Sequence, residues 1–208
     1  MENAPRECPT VLTTAEKELS RYDEEDRKIS VTSAKVEAGG YRVLTRMEEI
    51  MEFAIGMGYR HLGLAFCAGL SQEALTVAKI LKANGFEVDS VCCKNGSVPK
   101  DELGITSKYY AGNNCEFEPM CNPVGQAHVL DEAGCELSII LGLCVGHDTL
   151  FIKHSETPVT VLAAKDRVTG HNPLGPIYNA DSYRTDLYDY VNRREQVFKF
   201  SDEIKIEK

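Results

Sequence analysis

The sequence predicts an α/β fold: a doubly wound, Rossmann-like, mainly parallel sheet of about four strands with helices on both faces. Two observations lead there. Apolar runs of strand length alternate with helix-length segments of 3.6-residue periodicity. The runs are near-continuous rather than alternating, which suits strands covered on both faces.

The elements follow in order. Residues 1–40 read as a helical accessory segment, with Thr13 or Thr14 as N-cap and Asp23-Glu24-Glu25-Asp26 as a solvated helix face. Gly39-Gly40 is expected to break it. Residues 41–192 form the α/β domain, and 193–208 a charged tail. Arg46 to Met57 carries apolar residues at helical spacing, stopped by Gly58. His61 to Cys67 reads as the first strand, and Ser71 as the cap of a helix over 72–84. Phe86 to Cys93 is the second strand, so this spacing makes a right-handed βαβ unit. The stretch 94–120 is irregular, and a stretch that long is often functional. Asn122 caps the next helix with Pro123 at its first position, and Gly134 ends it. Strands over 136–141 and 159–164 flank a short helix over 149–154, and Asp186 to Val191 reads as a last helix. The strand order 2-1-3-4 follows by analogy with other doubly wound sheets.

Composition bounds the function. At 208 residues, 43% hydrophobic and 26% charged, the chain resembles an ordinary globular protein. A net charge of -9 without a basic stripe argues against nucleic acid as a partner. No apolar run is long enough for a membrane span, and the N-terminus carries no signal core, so the expected location is cytoplasmic. A homo-oligomer stays open. Eight cysteines in a reducing compartment point to metal, cluster or thiol chemistry rather than disulfides, or to buried thiols that merely fill the core.

The cysteines collect at strand ends. Cys67 ends strand one, Cys92 and Cys93 end strand two, and Cys121 precedes a helix start. Gly142-Leu143-Cys144-Val145-Gly146-His147-Asp148 hands strand three to a helix, and Asp166, Arg167 and His171 follow strand four. In a parallel sheet most of these project to one edge, and Cys121 joins them if the long loop before it returns there. Cys92 and Cys93 point to opposite faces, so at most one joins. Cys8, Cys115 and Cys135 fall outside the pattern.

Three chemistries fit. Zinc or an iron–sulfur cluster suits Cys67, Cys93, Cys121, Cys144, His147 and His171, although the chain has no tight Cys-x-x-Cys pair. A metal-free cysteine enzyme acting on a small anion would use Cys144 or Cys121, with His147 or His171 as base and Asp148 or Asp166 orienting it. A non-catalytic small-ligand module would offer Gly146, Asn122, Asn172 and Arg167 as contacts. Set against these, His61 and His128 read as structural, His154 as a helix C-cap, and Asp148 equally as a first-turn carboxylate.

These segments resemble a family. Phe66-Cys67-Ala68-Gly69-Leu70, Met120-Cys121-Asn122-Pro123, Cys144-Val145-Gly146-His147-Asp148 and Asp166-Arg167-Val168-Thr169-Gly170-His171-Asn172-Pro173 look like the bacterial and archaeal domain-of-unknown-function family numbered 1847. The resemblance spans roughly residues 8–178. Its members are commonly labelled predicted metal-binding proteins, so the resemblance implies a cytoplasmic metal-binding protein without an assigned reaction.

Overall fold

In the computed structural model, which describes residues 14–111, 116–200 and 203, the chain opens on helices and then alternates strand with helix. Helix α1 (Ala15–Leu19) is capped by Thr14, whose hydroxyl accepts from Lys17 N. Helix α2 (Glu24–Gly40) starts on a capping box in which Asp23 and Asp26 each accept the other's backbone N–H. The expected break at Gly39-Gly40 does not occur: α2 runs through both. At Gly40 a Cβ would stand 2.5 Å from Leu44 Cδ1, so the bare Cα lets the chain fold back tightly. Helix α3 (Arg46–Met57) then lies against α2, and Gly58 closes it at φ 85°. Gly56 lets Thr32 of α2 approach closely, and Lys28 Nζ donates to Met57 O at 2.9 Å.

The sheet is four-stranded and wholly parallel, in the order β2-β1-β3-β4, with β1 (His61–Phe66), β2 (Glu87–Cys92), β3 (Leu137–Leu141) and β4 (Val159–Ala163). Fold class and strand order are those the sequence predicts. Alternation sends the two sets of side chains to opposite faces. Leu62, Leu64, Leu137, Ile139 and Leu141 pack with Ile50 and Ala54 of α3 and with Ala74, Val77 and Leu81 of α4 (Ser71–Ala83). Ala65, Val91 and Ile140 pack on the other face with Ala127 and Leu130 of α5 (Pro123–Glu132) and Phe151 of α6 (His147–His154). Gly63 is needed there: a Cβ would meet Leu130 Cδ1 at 2.9 Å.

Ser71 is not the cap of α4. A 3-10 turn over Ala68–Leu70 leads into the helix, which takes Ser71 as its own first residue. The irregular stretch after β2 holds three short 3-10 turns and an isolated antiparallel bridge between Pro99 and Pro119. After β4 come α7 (Leu174–Tyr178), a 3-10 turn over Thr185–Asp189, and α8 (Tyr190–Val197). The helix expected over 186–191 is thus split between that turn and α8. Arg193 and Arg184 both pair with Asp186, fixing this turn. No helix among the described residues is long and apolar enough to cross a membrane.

Candidate functional site

With this strand order the chain leaves β1 for β2 on one side, while β3 lies on the other. The carboxyl ends of β1 and β3 therefore face the crevice where open α/β sheets bind ligands. Cys67 stands at the end of β1, buried, with its N–H donating to Leu141 O of β3 at 3.2 Å. Cys93, 2% exposed, follows β2; its N–H donates to Phe66 O at 2.9 Å, and its sulfur accepts from Ala68 N at 3.3 Å.

The long loop does return to this edge. Asn122 N donates to Cys93 O at 2.7 Å, which places Cys121 against Cys93. Asn122 then caps α5, its side chain accepting from Gly125 N at 2.9 Å, with Pro123 at the first helical position. The Cys121 thiol is held well below its usual range by its hydrogen bonds to Cys93 and to His147, with the Lys94 ammonium adding to the effect. The same Cys93–Cys121 bond, together with burial, pushes Cys93 up. The two thiols thus share one hydrogen bond, and His147 bonds to Cys121 as well.

The segment from β3 supplies the rest. Gly142 turns at φ 66°, where a Cβ would also collide with Leu70. Cys144 O accepts from His147 N and Asp148 N, and Gly146 at φ 85° opens α6. Helix α6 begins at His147, two residues earlier than the sequence suggests. Arg167 Nη2 donates to Cys144 Sγ at 3.1 Å, and its charge is also felt by Cys67 and Cys121. Six expected residues, Cys67, Cys93, Cys121, Cys144, His147 and Arg167, are therefore linked by hydrogen bonds or by charge.

The other candidates are placed differently. Asp166 spends its carboxylate on Val168 N and Thr169 N, at 2.9 and 3.1 Å, and the bonds to Thr169 lead in lowering its pKa. His171, at φ 69°, accepts from Asp166 N through Nδ1 and donates its own N–H to Asp166 O. Asp166 and His171 thus close their own turn. Asn172 O accepts from Gly175 N at the start of α7, and Asp148 accepts from Thr149 N within α6. His128 and His154 meet edge to face at 6.4 Å between α5 and the end of α6. Cys8 and Cys115 lie outside the described residues.

Sequence reasoning set one group aside. At the amino edge, His61 Nε2 lies 2.9 Å from Asp89 Oδ2. Buried Cys135 joins them, so that one ligand atom from each of the three falls within 4.8 Å of the others. Burial, then the carboxylates of Asp89 and Asp131, push the Cys135 thiol up to about 11. The signal was present in topology alone: His61 opens β1, and Asp89 sits on the same face of the neighbouring strand, because His61 is in register with Glu87.

Fold and site together define a doubly wound α/β protein with a cysteine-lined carboxyl edge and side chains of the types that ligate metals. The chain belongs to the family described as protein of unknown function (DUF1847), whose model matches residues 8–162. It is 47% identical over 174 residues to an uncharacterized protein of Methanocaldococcus jannaschii, covering 83% of this chain and 86% of that one. Among solved structures it is similar to Dph2 from Pyrococcus horikoshii with a 4Fe-4S cluster, at 13% identity and a TM-score of 0.36. That match covers 76% of this chain and 40% of the other, and likeness so slight says nothing of function.

Proposed function

We propose that the protein binds an iron–sulfur cluster through Cys67, Cys93, Cys121 and Cys144. The observation that carries this reading is the convergence of thiols from four separate segments on one edge of the sheet, joined through the Cys93–Cys121 bond and the reach of Arg167. Spacing favours a cluster over a single zinc ion. Four thiolates around one zinc stand only about 3.8 Å apart, given tetrahedral Zn–S bonds of about 2.3 Å. Among the described residues, the group with three ligand atoms within 4.8 Å of one another is His61, Asp89 and Cys135, not these thiols. A four-iron cluster assigns each cysteine to its own iron and spans a wider set. A bound cluster would supply one-electron chemistry. The chain itself supplies the ligands, the Arg167 hydrogen bond to sulfur, and the cations Lys94 and Arg167 that offset the thiolate charge.

The test is iron and acid-labile sulfide analysis, with an absorption spectrum, on protein purified and reconstituted without oxygen. Stoichiometric iron and sulfide, lost in Cys121→Ser and in Cys144→Ser, is the expected result. Iron-free protein after reconstitution, or a spectrum unchanged in both variants, overturns the reading.

A second reading is favoured by the Cys121–His147 contact at the start of α5, which suits a cysteine nucleophile beside its base, with Arg167 binding a small anion. Metal-free protein in which Cys121 alkylates far faster than the other thiols at neutral pH, and slows in His147→Ala, would select it.

A further inference from the structure

The amino edge carries a second constellation, independent of the carboxyl-edge thiols. We propose that His61, Asp89 and Cys135 bind a zinc-class divalent cation, with water completing a tetrahedral site. Three ligand atoms already lie within 4.8 Å of one another. The donor set is imidazole nitrogen, thiolate sulfur and carboxylate oxygen. Sulfur and imidazole select zinc or cobalt over magnesium or calcium, which take oxygen. Three protein ligands with one open position is the arrangement of zinc sites that bind water or substrate.

His61 and Cys135 are each held by a support of their own. Glu136 accepts from Arg60 N at 2.6 Å and His61 N at 3.0 Å, which fixes the first residue of β1. Asp131 accepts from Glu156 N, Thr157 N and Thr157 Oγ1, and Thr157 Oγ1 also donates to Cys135 O at 3.1 Å. These bonds pin the turn that presents Cys135. Asp89 projects from β2 onto the face His61 occupies, and its side chain is 56% exposed, which gives a cation a way in. Such orienting bonds around the ligands are the usual company of a metal site. An unmetallated His61–Asp89 pair would account for two of the three groups. It does not account for a buried cysteine whose sulfur lies within 4.8 Å of both.

Cobalt(II) is the probe, because thiolate ligation gives it a charge-transfer band. The full-length Cys121→Ser/Cys144→Ser protein, stripped with chelator, is titrated with cobalt and then zinc; two of the four carboxyl-edge thiols are gone, and Cys135→Ser on the same background assigns the band that remains. One equivalent of cobalt with a thiolate charge-transfer band, displaced by zinc, is expected. Adding Cys135→Ser should abolish the band. Adding Asp89→Asn, a mostly exposed position that leaves the fold intact, should weaken affinity by at least about tenfold. Absence of the band, or its survival in the folded Cys135→Ser protein, overturns the site; so does unchanged affinity in Asp89→Asn. Because the deciding comparison is Cys135→Ser, a residue that takes no part in the cluster reading, its failure leaves that reading standing, and the reverse holds.

Discussion

Gln126 shows how one side chain positions the candidate cluster site. It is wholly buried on α5, and its Nε2 donates to Phe66 O at 3.2 Å and to Val91 O at 2.8 Å. Those carbonyls stand at the ends of β1 and β2, one and two residues before Cys67 and Cys93. Gln126→Leu keeps the bulk and removes both donations. The expected cost is about 1–3 kcal/mol in a urea titration, the range for leaving buried acceptors short of a partner. Iron retained on reconstitution should fall as well. Full retention would make the residue a fold stabiliser only. Gly142→Ala meets two obstacles at once, a φ of 66° and the Leu70 side chain, and should cost about 2–4 kcal/mol by the same titration. At this scale the sequence was partly legible. Thiols at strand ends can be read because a parallel sheet collects strand ends. Gln126 could not be read, since a mid-helix glutamine ordinarily faces water. Nor could the His61, Asp89 and Cys135 group, whose members meet only through the register of β1 with β2 and the turn after α5.

Helix boundaries were legible wherever the chain supplies its own stop or cap. Gly58 ends α3 in the left-handed region, and Asn122 with Pro123 starts α5, both as read from the sequence. Removing that cap by Asn122→Ala should cost about 1 kcal/mol and loosen Cys121 beside it, visible as faster alkylation of Cys93 in apo protein. Boundaries set by tertiary contact were not legible. Helix α2 continues through Gly39 and Gly40 because Leu44 folds over Gly40, and α4 begins from a 3-10 turn that no cap residue announces. The α3 start gives a pH-dependent prediction. Glu48 accepts from Thr45 Oγ1 and from Thr45 N, both at 2.7 Å, and the hydroxyl bond leads in holding its carboxyl below 4.5. A carboxylate whose folded pKa is depressed adds stability that is present above the ordinary value and lost as pH falls through the folded one. The thermal midpoint of Glu48→Gln should therefore lie below that of the parent at pH 7, and the gap should close as the pH is taken well below 4.5. A gap constant with pH would assign the effect to helix propensity instead.

For the whole molecule, the alternation of apolar runs with helical segments was enough to reach a parallel doubly wound sheet and the order β2-β1-β3-β4. The alternation does not say that both candidate groups share the α5 face. Cys67 and Cys93 continue the odd-numbered positions of β1 and β2, on which His61 and Asp89 also lie. The two groups are therefore opposite ends of one face, about 17–20 Å apart along β1 at roughly 3.3 Å per residue. Between them Ala65, Val91 and Ile140 are packed against α5 and α6. Sites that far apart, sharing no partner, add within about 0.5 kcal/mol. Each group bound only to the folded state raises stability by its own mass-action amount. Anaerobic denaturation of apo, zinc-loaded, cluster-loaded and doubly loaded protein should therefore give a doubly loaded increment equal to the sum of the single ones. A shortfall or excess beyond about 1 kcal/mol, well outside that additivity range, would mean that β1 or α5 shifts when either end is filled. The two edges would then work as one device, and Asp89→Asn at the amino edge should alter the absorption spectrum of the cluster at the carboxyl edge.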